Sequence, residues 1–337
     1  MENFIYRLKK RRKNKRLCSG TSGIIKNILD GNYSDIRISA ALVCLKYNKS
    51  PASYKKALII VDKYKEIFYE ERNSIEIAYP YRRKNFSPYF LIAASIILSL
   101  LPDSSIKTVF HGENLSTPTT KDIFDYLNIA PISNNDSADI LKNLNIGFFN
   151  RKLFLPQVSA LNSIRAELNI NDIFHYIEKY HNPVSSNYAV GGVKSKKQLL
   201  FYKKLLEGRY KRFALIEERE GFPDITSSTN IYIFGDKEEL IEIDISALGG
   251  KPFLHKKLEL SEHIDFIKAL LGKKLPEYEP LLHINSGLLL YLKDVVNDIQ
   301  EGFELSKELF RKYDYFQVLK NIQRYSEYLN YKNIYEL

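Results

Sequence analysis

From Ile75 onward the chain repeats one pattern: a short run rich in Ile, Val and Phe, then a longer segment with apolar residues at helical spacing. The runs are "IEIAY" (75–79), "KTVF" (107–110), "IGFF" (146–149), "FALIE" (213–217), "IYIF" (231–234) and "LIEIDI" (240–245). Between most of them lie helical segments, notably Tyr89 to Leu101, Thr120 to Leu127 and Ser195 to Leu206. Parallel strands need a long crossover, most simply a helix, so the alternation predicts an α/β fold with a mainly parallel sheet flanked by helices on both faces.

The segment before Ile75 has a different period. Ile24, Ile25 and Ile28 share one helical face, Ser34 is placed to cap a helix carrying Ile38, Leu42 and Leu45, and Ser50-Pro51 opens a third with Leu58, Ile59 and Tyr64. This predicts a small all-helical domain over 18–73, joined by helices within 158–185. The large α/β domain is then 74–157 plus 186–337, with a tail from Ser261 to Tyr331 that returns to helix and breaks near "GKKLPEYEP".

Of the ten net positive charges, seven lie in residues 1–17, where eight Lys/Arg face one Glu. The basic arm, with Lys9, Lys10, Arg11, Arg12, Lys13, Lys15 and Arg16, has the chemistry to meet nucleic-acid phosphates; a solvated terminus is the plain alternative. Cys18 and Cys44 have no second thiol or histidine at metal spacing, which argues against a disulfide scaffold or zinc site and for a reducing cytoplasm. The basic N-terminus is not followed by a signal-peptide pattern. The longest apolar run, Phe90 to Leu101, falls well short of the ~20 residues that span a bilayer, so no membrane partner is expected.

The order strand, His111-Gly112, Ser/Thr-rich loop, helix ("TVFHGENLSTPTTKDIFDYLNI") resembles the anthranilate phosphoribosyltransferase family (glycosyl transferase family 3), relatives of the nucleoside phosphorylases. "NSIRAELNINDIFHYIEKYHNP" (162–183) is similar to the family's N-x-x-R-x-E-L-G-x-R-T-I-F-N-x-x-G-P-x-x-N-P. "AVGGVKSKKQLLFYKKLLE" matches its next helix, and the segment around Asn285, Gly302 and Leu305 matches its C-terminal pattern. The resemblance implies the helical domain, the large phosphoribosyltransferase-like domain and a homodimer formed through the helices.

The departures fall on the phosphate and metal machinery. The family's G-T-G-G-D-G loop brings backbone N–H groups against pyrophosphate, which only glycine permits so closely. The corresponding stretch here is "AYPYRRKNFSPYF" (78–90), and no glycine occurs between Gly31 and Gly112. Arg82, Arg83 and Lys84 are left to contact phosphate by charge, or to form an exposed basic turn. Where the family has adjacent Asp-Glu for hydrated Mg²⁺, this chain has Pro223-Asp224, leaving Asp224 and Glu220 as a weak metal site beside the alternative of a solvated loop.

The family's K-H-G-N-R becomes Phe110, His111, Gly112, Glu113, Asn114, which sets an acid beside the expected phosphate oxygens. Ser116, Thr117, Thr119 and Thr120 retain hydroxyls for phosphate, with helix capping as the alternative for Thr119 or Thr120. Arg165 matches the arginine that contacts the anthranilate carboxylate in the family. Together with "EEREGFPDI", these departures look like a divergent branch that keeps the fold and His-Gly, drops the glycine loop and includes nucleic-acid-binding proteins.

Two functional expectations follow. One is a family-like protein without anthranilate phosphoribosyltransferase activity that binds a polyanion such as single-stranded nucleic acid, through residues 7–16 and the Arg82–Lys84 loop, with Tyr79, Tyr81 and Tyr89 available to stack on bases. The other is an active Mg²⁺-dependent transferase with a different acceptor and a rebuilt phosphate site around His111, Ser116, Thr117, Thr119, Arg165 and Asp224.

Overall fold

The computed structural model describes residues 18–47, 50–101, 106–115, 117–254 and 256–335. The apolar runs become β1 (Ser74–Ala78), β2 (Lys107–Gly112), β3 (Ile146–Asn150), β5 (Arg212–Glu217), β6 (Thr229–Phe234) and β7 (Glu239–Ile243), joined by β4 (Tyr188–Val193). One sheet holds them all in the order β3-β2-β1-β4-β5-β6-β7. The first five strands run parallel, and β6 and β7 add an antiparallel hairpin at one edge. Burial follows position. All five residues of the central β1 are buried, whereas β7 alternates half-buried and exposed residues, as a strand with one wet face should.

β4 is the strand that the sequence pattern misses. "AVGGV" reads as the approach to a helix because adjacent glycines weaken a strand signal. The sheet needs them for space: a methyl on Gly191 would overlap the Tyr180 hydroxyl, and one on Gly192 would overlap the Phe222 carbonyl.

The helices are α1 (Cys18–Leu29), α2 (Asp35–Lys46), α3 (Pro51–Val61), α4 (Phe90–Leu98), α5 (Thr120–Tyr126), α6 (Asn134–Leu144), α7 (Arg151–Phe154), α8 (Pro156–Ser159), α9 (Asn162–Leu168), α10 (Ile173–Ile177), α11 (Lys196–Leu206), α12 (Leu260–Leu271), α13 (Glu279–Leu292), α14 (Ile299–Lys312) and α15 (Tyr315–Tyr335). Two apolar clusters cover the two sheet faces. One packs α4 and the C-terminal helices on Ile77 and Phe110; the other packs α1–α3 and α10 on Val109 and Leu215. Every residue of α4 is buried, which explains a run with almost no polar side. Its one hydroxyl, Ser95, donates to the Leu91 carbonyl at 2.7 Å. Among the described residues, no helix is long and apolar enough to cross a membrane.

α13 and α14 touch at two glycines, since a methyl on Gly302 would sit 2.8 Å from the Gly287 Cα. From the same helix, Asn285 donates to the Ile225 carbonyl at 2.8 Å and accepts from the Ile225 amide at 3.0 Å. That pair of bonds fixes the loop that carries Asp224.

Candidate functional site

Chemistry in open α/β sheets gathers beyond the carboxyl ends of the strands, and here the loops after β1, β2, β4 and β5 meet there. The loop after β1 folds inward. Lys84 is fully buried; its ammonium donates to the Pro88 carbonyl at 2.5 Å and forms an ion pair with the equally buried Asp224. It also lies 4.7 Å from the Tyr89 ring centroid. Asp224 accepts further from the Tyr79 hydroxyl at 2.6 Å and from the Leu91 amide at 2.8 Å, so it serves as a remote cap for α4. Burial, then the Asp224 charge, pushes the Tyr79 hydroxyl pKa up.

Glu220 accepts from the amides of Asn85 and Phe86 at 3.1 and 3.0 Å, and Glu218 accepts from those of Glu220 and Phe222 at 2.7 and 3.1 Å. These acids hold the two loops to each other. The arrangement does not fit a Mg²⁺ site, because Asp224 and Glu220 already satisfy one ammonium, one hydroxyl and three amides. No group of three or more potential metal ligands occurs among the described residues.

His111 ends β2 inside the protein. Its Nε2 lies 2.7 Å from Glu76 Oε1, and its Nδ1 meets the Tyr81 hydroxyl. Glu76 also accepts from the Asn182 amide at 2.6 Å and from the Tyr210 hydroxyl. This relay is closed at both ends. Next to it, His181 is fully buried with neither ring nitrogen hydrogen-bonded, and burial holds its pKa well below the usual histidine range.

A chain of alternating, largely buried charges runs on from there. Glu113 accepts from Arg151 Nε, Ser159 Oγ and Asn162 Nδ2, each at 2.8 Å. Arg151 donates to Glu178 at 3.1 Å, Arg165 Nη2 donates to Glu178 at 3.0 Å, and Arg165 Nε donates to Asp172 at 2.8 Å. Burial alone would raise the Glu178 pKa, but Arg165 and Arg151 outweigh it and keep the carboxyl below its usual range. Arg165 Nη1 is buried and has no hydrogen-bond partner. Arg165 lines a cleft of about 510 Å³ together with Tyr81, Arg82, Asn114, Asn162, His175 and Glu178.

No family model matches the chain. Curated relatives do. The anthranilate phosphoribosyltransferase of Caldicellulosiruptor saccharolyticus is 25% identical over 340 residues, covering 90% of this chain and 94% of that protein. That of Metallosphaera sedula is 29% identical over 186 residues, about half of each chain (52% and 53%). Among solved structures, the Thermus thermophilus enzyme superposes with a TM-score of 0.74 at 15% identity, over 91% of this chain and 94% of the other. The Saccharomyces cerevisiae enzyme in complex with phosphoribosyl pyrophosphate and Mg gives 0.70 at 16%, over 93% of both. The chain has the anthranilate phosphoribosyltransferase fold.

Within that fold the expected site residues scatter. Arg82 reaches the cleft, with one guanidinium nitrogen donating to the Glu220 carbonyl and its carbon 5.2 Å from the Phe222 ring centroid. Arg83 faces outward and pairs with Glu259 at 3.0 Å. Lys84 is not an exposed phosphate contact but one half of an interior ion pair. The solvated-loop alternative for the acids fails with it, since Glu218, Glu220 and Asp224 are all buried.

Tyr79, Tyr81 and Tyr89 are core residues at 0%, 3% and 0% exposure, so they offer no stacking platform for bases. Glu113 is no unmatched acid, because Arg151 neutralises it. Asn114 lines the cleft, Thr117 is exposed, and Gly112 has open van der Waals space around it. Thr119 caps α5 in a reciprocal box with Asp122, so its hydroxyl is committed to the helix. Arg165 is not a surface cation; two acids hold it while one nitrogen stays open. Ser116 and the arm residues Lys9, Lys10, Arg11, Arg12, Lys13, Lys15 and Arg16 lie outside the described residues.

The sequence reading overlooked Arg151, Asp172, Glu178 and Lys179. A signal was there: the family's Gly-Pro stands at Glu178-Lys179 in this chain, and a charge pair replacing an uncharged one inside a buried segment calls for partners.

Proposed function

We propose that this anthranilate phosphoribosyltransferase-like protein does not carry out Mg²⁺-dependent phosphoribosyl transfer and works instead as an anion-binding protein. The observation that carries the reading is the buried Lys84–Asp224 pair, which with Tyr79 and Tyr81 fills the space after β1 where a glycine loop would expose amides. Wrapping a pyrophosphate there requires unpairing two charges in the interior, which costs several kcal/mol. What remains open is the cleft lined by Arg165 and Arg82. Its charge and size suit a small carboxylate-bearing ligand.

The polyanion part of the reading rests on charge alone: seven of ten net positive charges fall in residues 1–17. A single-stranded nucleic acid is the polyanion proposed, bound in the cytoplasm by a homodimer joined through the helical domain. Ile36, Val43 and Tyr47, exposed on α2 and the residue after it, give that dimer an apolar face.

A second reading, favoured by the relatives' names, is a working transferase with a rebuilt phosphate site. Calorimetry with phosphoribosyl pyrophosphate, with and without Mg²⁺, decides between them. The proposal expects no saturable, Mg²⁺-dependent heat and no loss of anthranilate fluorescence when anthranilate is added; the first signal refutes the blocked phosphate site and the second establishes the transferase.

A further inference from the structure

Beside the main cleft, sharing Arg82, Asn171 and His175 with it, lies a smaller cavity of about 130 Å³. Arg82, Lys179 and Lys194 line it, and no carboxylate does. Lys179 is the unusual member. It sits just after α10, is 4% exposed, and spends one N–H on the Gly192 carbonyl at 2.7 Å. Its ammonium also lies 4.2 Å from the Tyr202 ring centroid and 5.1 Å from that of Tyr180. Among the described residues, no acid pairs with Lys179 or Lys194.

The acids nearest by sequence are committed to backbone amides. Glu218 and Glu220 act on Arg82 and Lys194 through their charge, but neither forms an ion pair with them or lines the cavity. A buried ammonium without a counter-ion is rare, because its desolvation is not repaid. We infer that the cavity is a binding site for a dianionic phosphoryl group, clamped between Arg82, Lys179 and Lys194.

Three observations support the phosphoryl class. Arg82 and Lys194, joined by Lys179 once an anion sits beside it, exceed what a single carboxylate neutralises. The volume suits one tetrahedral oxyanion, and the 510 Å³ cleft that shares Arg82, Asn171 and His175 with it gives an organic remainder a place to lie. α11, eleven residues long, begins at the rim with Ser195 as N-cap and Gln198 lining the cavity, so its positive end adds to the field. Burial and then repulsion from Arg82 and Lys194 hold the Lys179 pKa well below its usual range, the strain that a bound anion would remove. His175, whose pKa burial also lowers, and the Tyr202 hydroxyl, raised by burial, complete the ionisable lining. The site stands apart from the question of phosphoribosyl transfer. It needs neither Mg²⁺ nor a glycine loop, and Lys179 occupies a position where the family pattern carries proline.

The test titrates the full-length protein, without Mg²⁺, with inorganic phosphate and separately with glycerol 3-phosphate, following heat and ³¹P chemical shift. Saturable binding is expected, weakened roughly ten- to hundredfold by Lys194→Gln and by Lys179→Met. Lys194 is exposed, so its variant keeps the test valid if the Lys179 variant fails to fold. Tighter binding of the ester than of phosphate identifies a phosphate monoester as the ligand class, and equal binding identifies the free ion. No binding of either probe, or binding indifferent to Lys194→Gln, overturns the site. Phosphoribosyl pyrophosphate bound through this site gives heat that does not need Mg²⁺, so the Mg²⁺ dependence of that titration keeps the two proposals distinguishable.

Discussion

Replacing Asp224 by Ala removes the counter-charge of Lys84 and also two acceptor sites, those of the Tyr79 hydroxyl and the Leu91 amide. All of these groups are buried, so water cannot take over the lost bonds. Breaking a buried pair from one side costs about 3–5 kcal/mol. Native domains have only about 5–15 kcal/mol in hand, so the variant should lose a large fraction of its stability. The double variant Lys84→Met, Asp224→Leu removes both charges and keeps apolar bulk, so it recovers the ion-pair part of that loss and leaves only the Tyr79 hydroxyl and the Leu91 amide unpaired, at about 1–3 kcal/mol each.

Urea unfolding followed by circular dichroism gives the midpoints. The expected order is wild type first, the double variant below it, and Asp224→Ala lowest, because only that variant also strands a buried charge. A loss under about 1 kcal/mol in Asp224→Ala would refute the reasoning, since it would mean that the carboxylate is hydrated. A metal-ligand role makes a separate claim, that Mg²⁺ raises the wild-type midpoint and leaves that of the variant unmoved. The ion-pair account expects no response to Mg²⁺ in either protein.

Gly192→Ala should destabilise the protein by several kcal/mol or prevent its folding, because the new methyl meets the Phe222 carbonyl. Gly112→Ala should be nearly silent in the same urea unfolding assay, since its methyl finds a first neighbour only at 3.6 Å. Burial lowers the pKa of His283 to about 4 and that of His263 to about 3. The unfolded chain therefore binds more protons than the folded one below pH ~6.5, and stability must fall as pH drops from there towards 4, by up to about 1.4 kcal/mol per pH unit for each histidine. His283→Leu should flatten that slope in urea midpoints measured between pH 7 and 4.5. If the basic arm binds single-stranded oligonucleotides by charge, affinity must fall steeply with salt, with a log–log slope near −0.7 for each phosphate neutralised. Deleting residues 1–16 must then lower both affinity and slope; a salt-independent complex excludes the mechanism.

What was legible in the sequence was periodicity. Six of the seven strands announce themselves by apolar runs, and α4 by its unbroken hydrophobic stretch, because burial on both faces leaves no other composition. β4 hid behind Gly191 and Gly192, whose purpose is visible only once Tyr180 and Phe222 are packed against them. The cleft was harder for a related reason. Charge in a sequence reads as solvent exposure, yet Lys84, Arg151 and Lys179 are interior. Their partners lie 140 residues away for Lys84 (Asp224), 38 for Arg151 (Glu113) and 13 for Lys179 (the Gly192 carbonyl). Local pattern carries no information about such pairings. The capping of α5 by Thr119, decided within four residues, was readable.

The charge ladder from Glu113 through Arg151, Glu178 and Arg165 to Asp172 also sets how the molecule can move. It ties the turn after β2 to the helices α7 to α10 with buried links of opposite sign, each of which would strand a charge if pulled apart. A two-lobed fold that closed over its substrate by hinge rotation would have to break and remake these links at every cycle. Opening this one at that seam would strand buried charges, so ligand exchange is expected to proceed without it, and its rate should follow diffusion into the cleft rather than a domain motion.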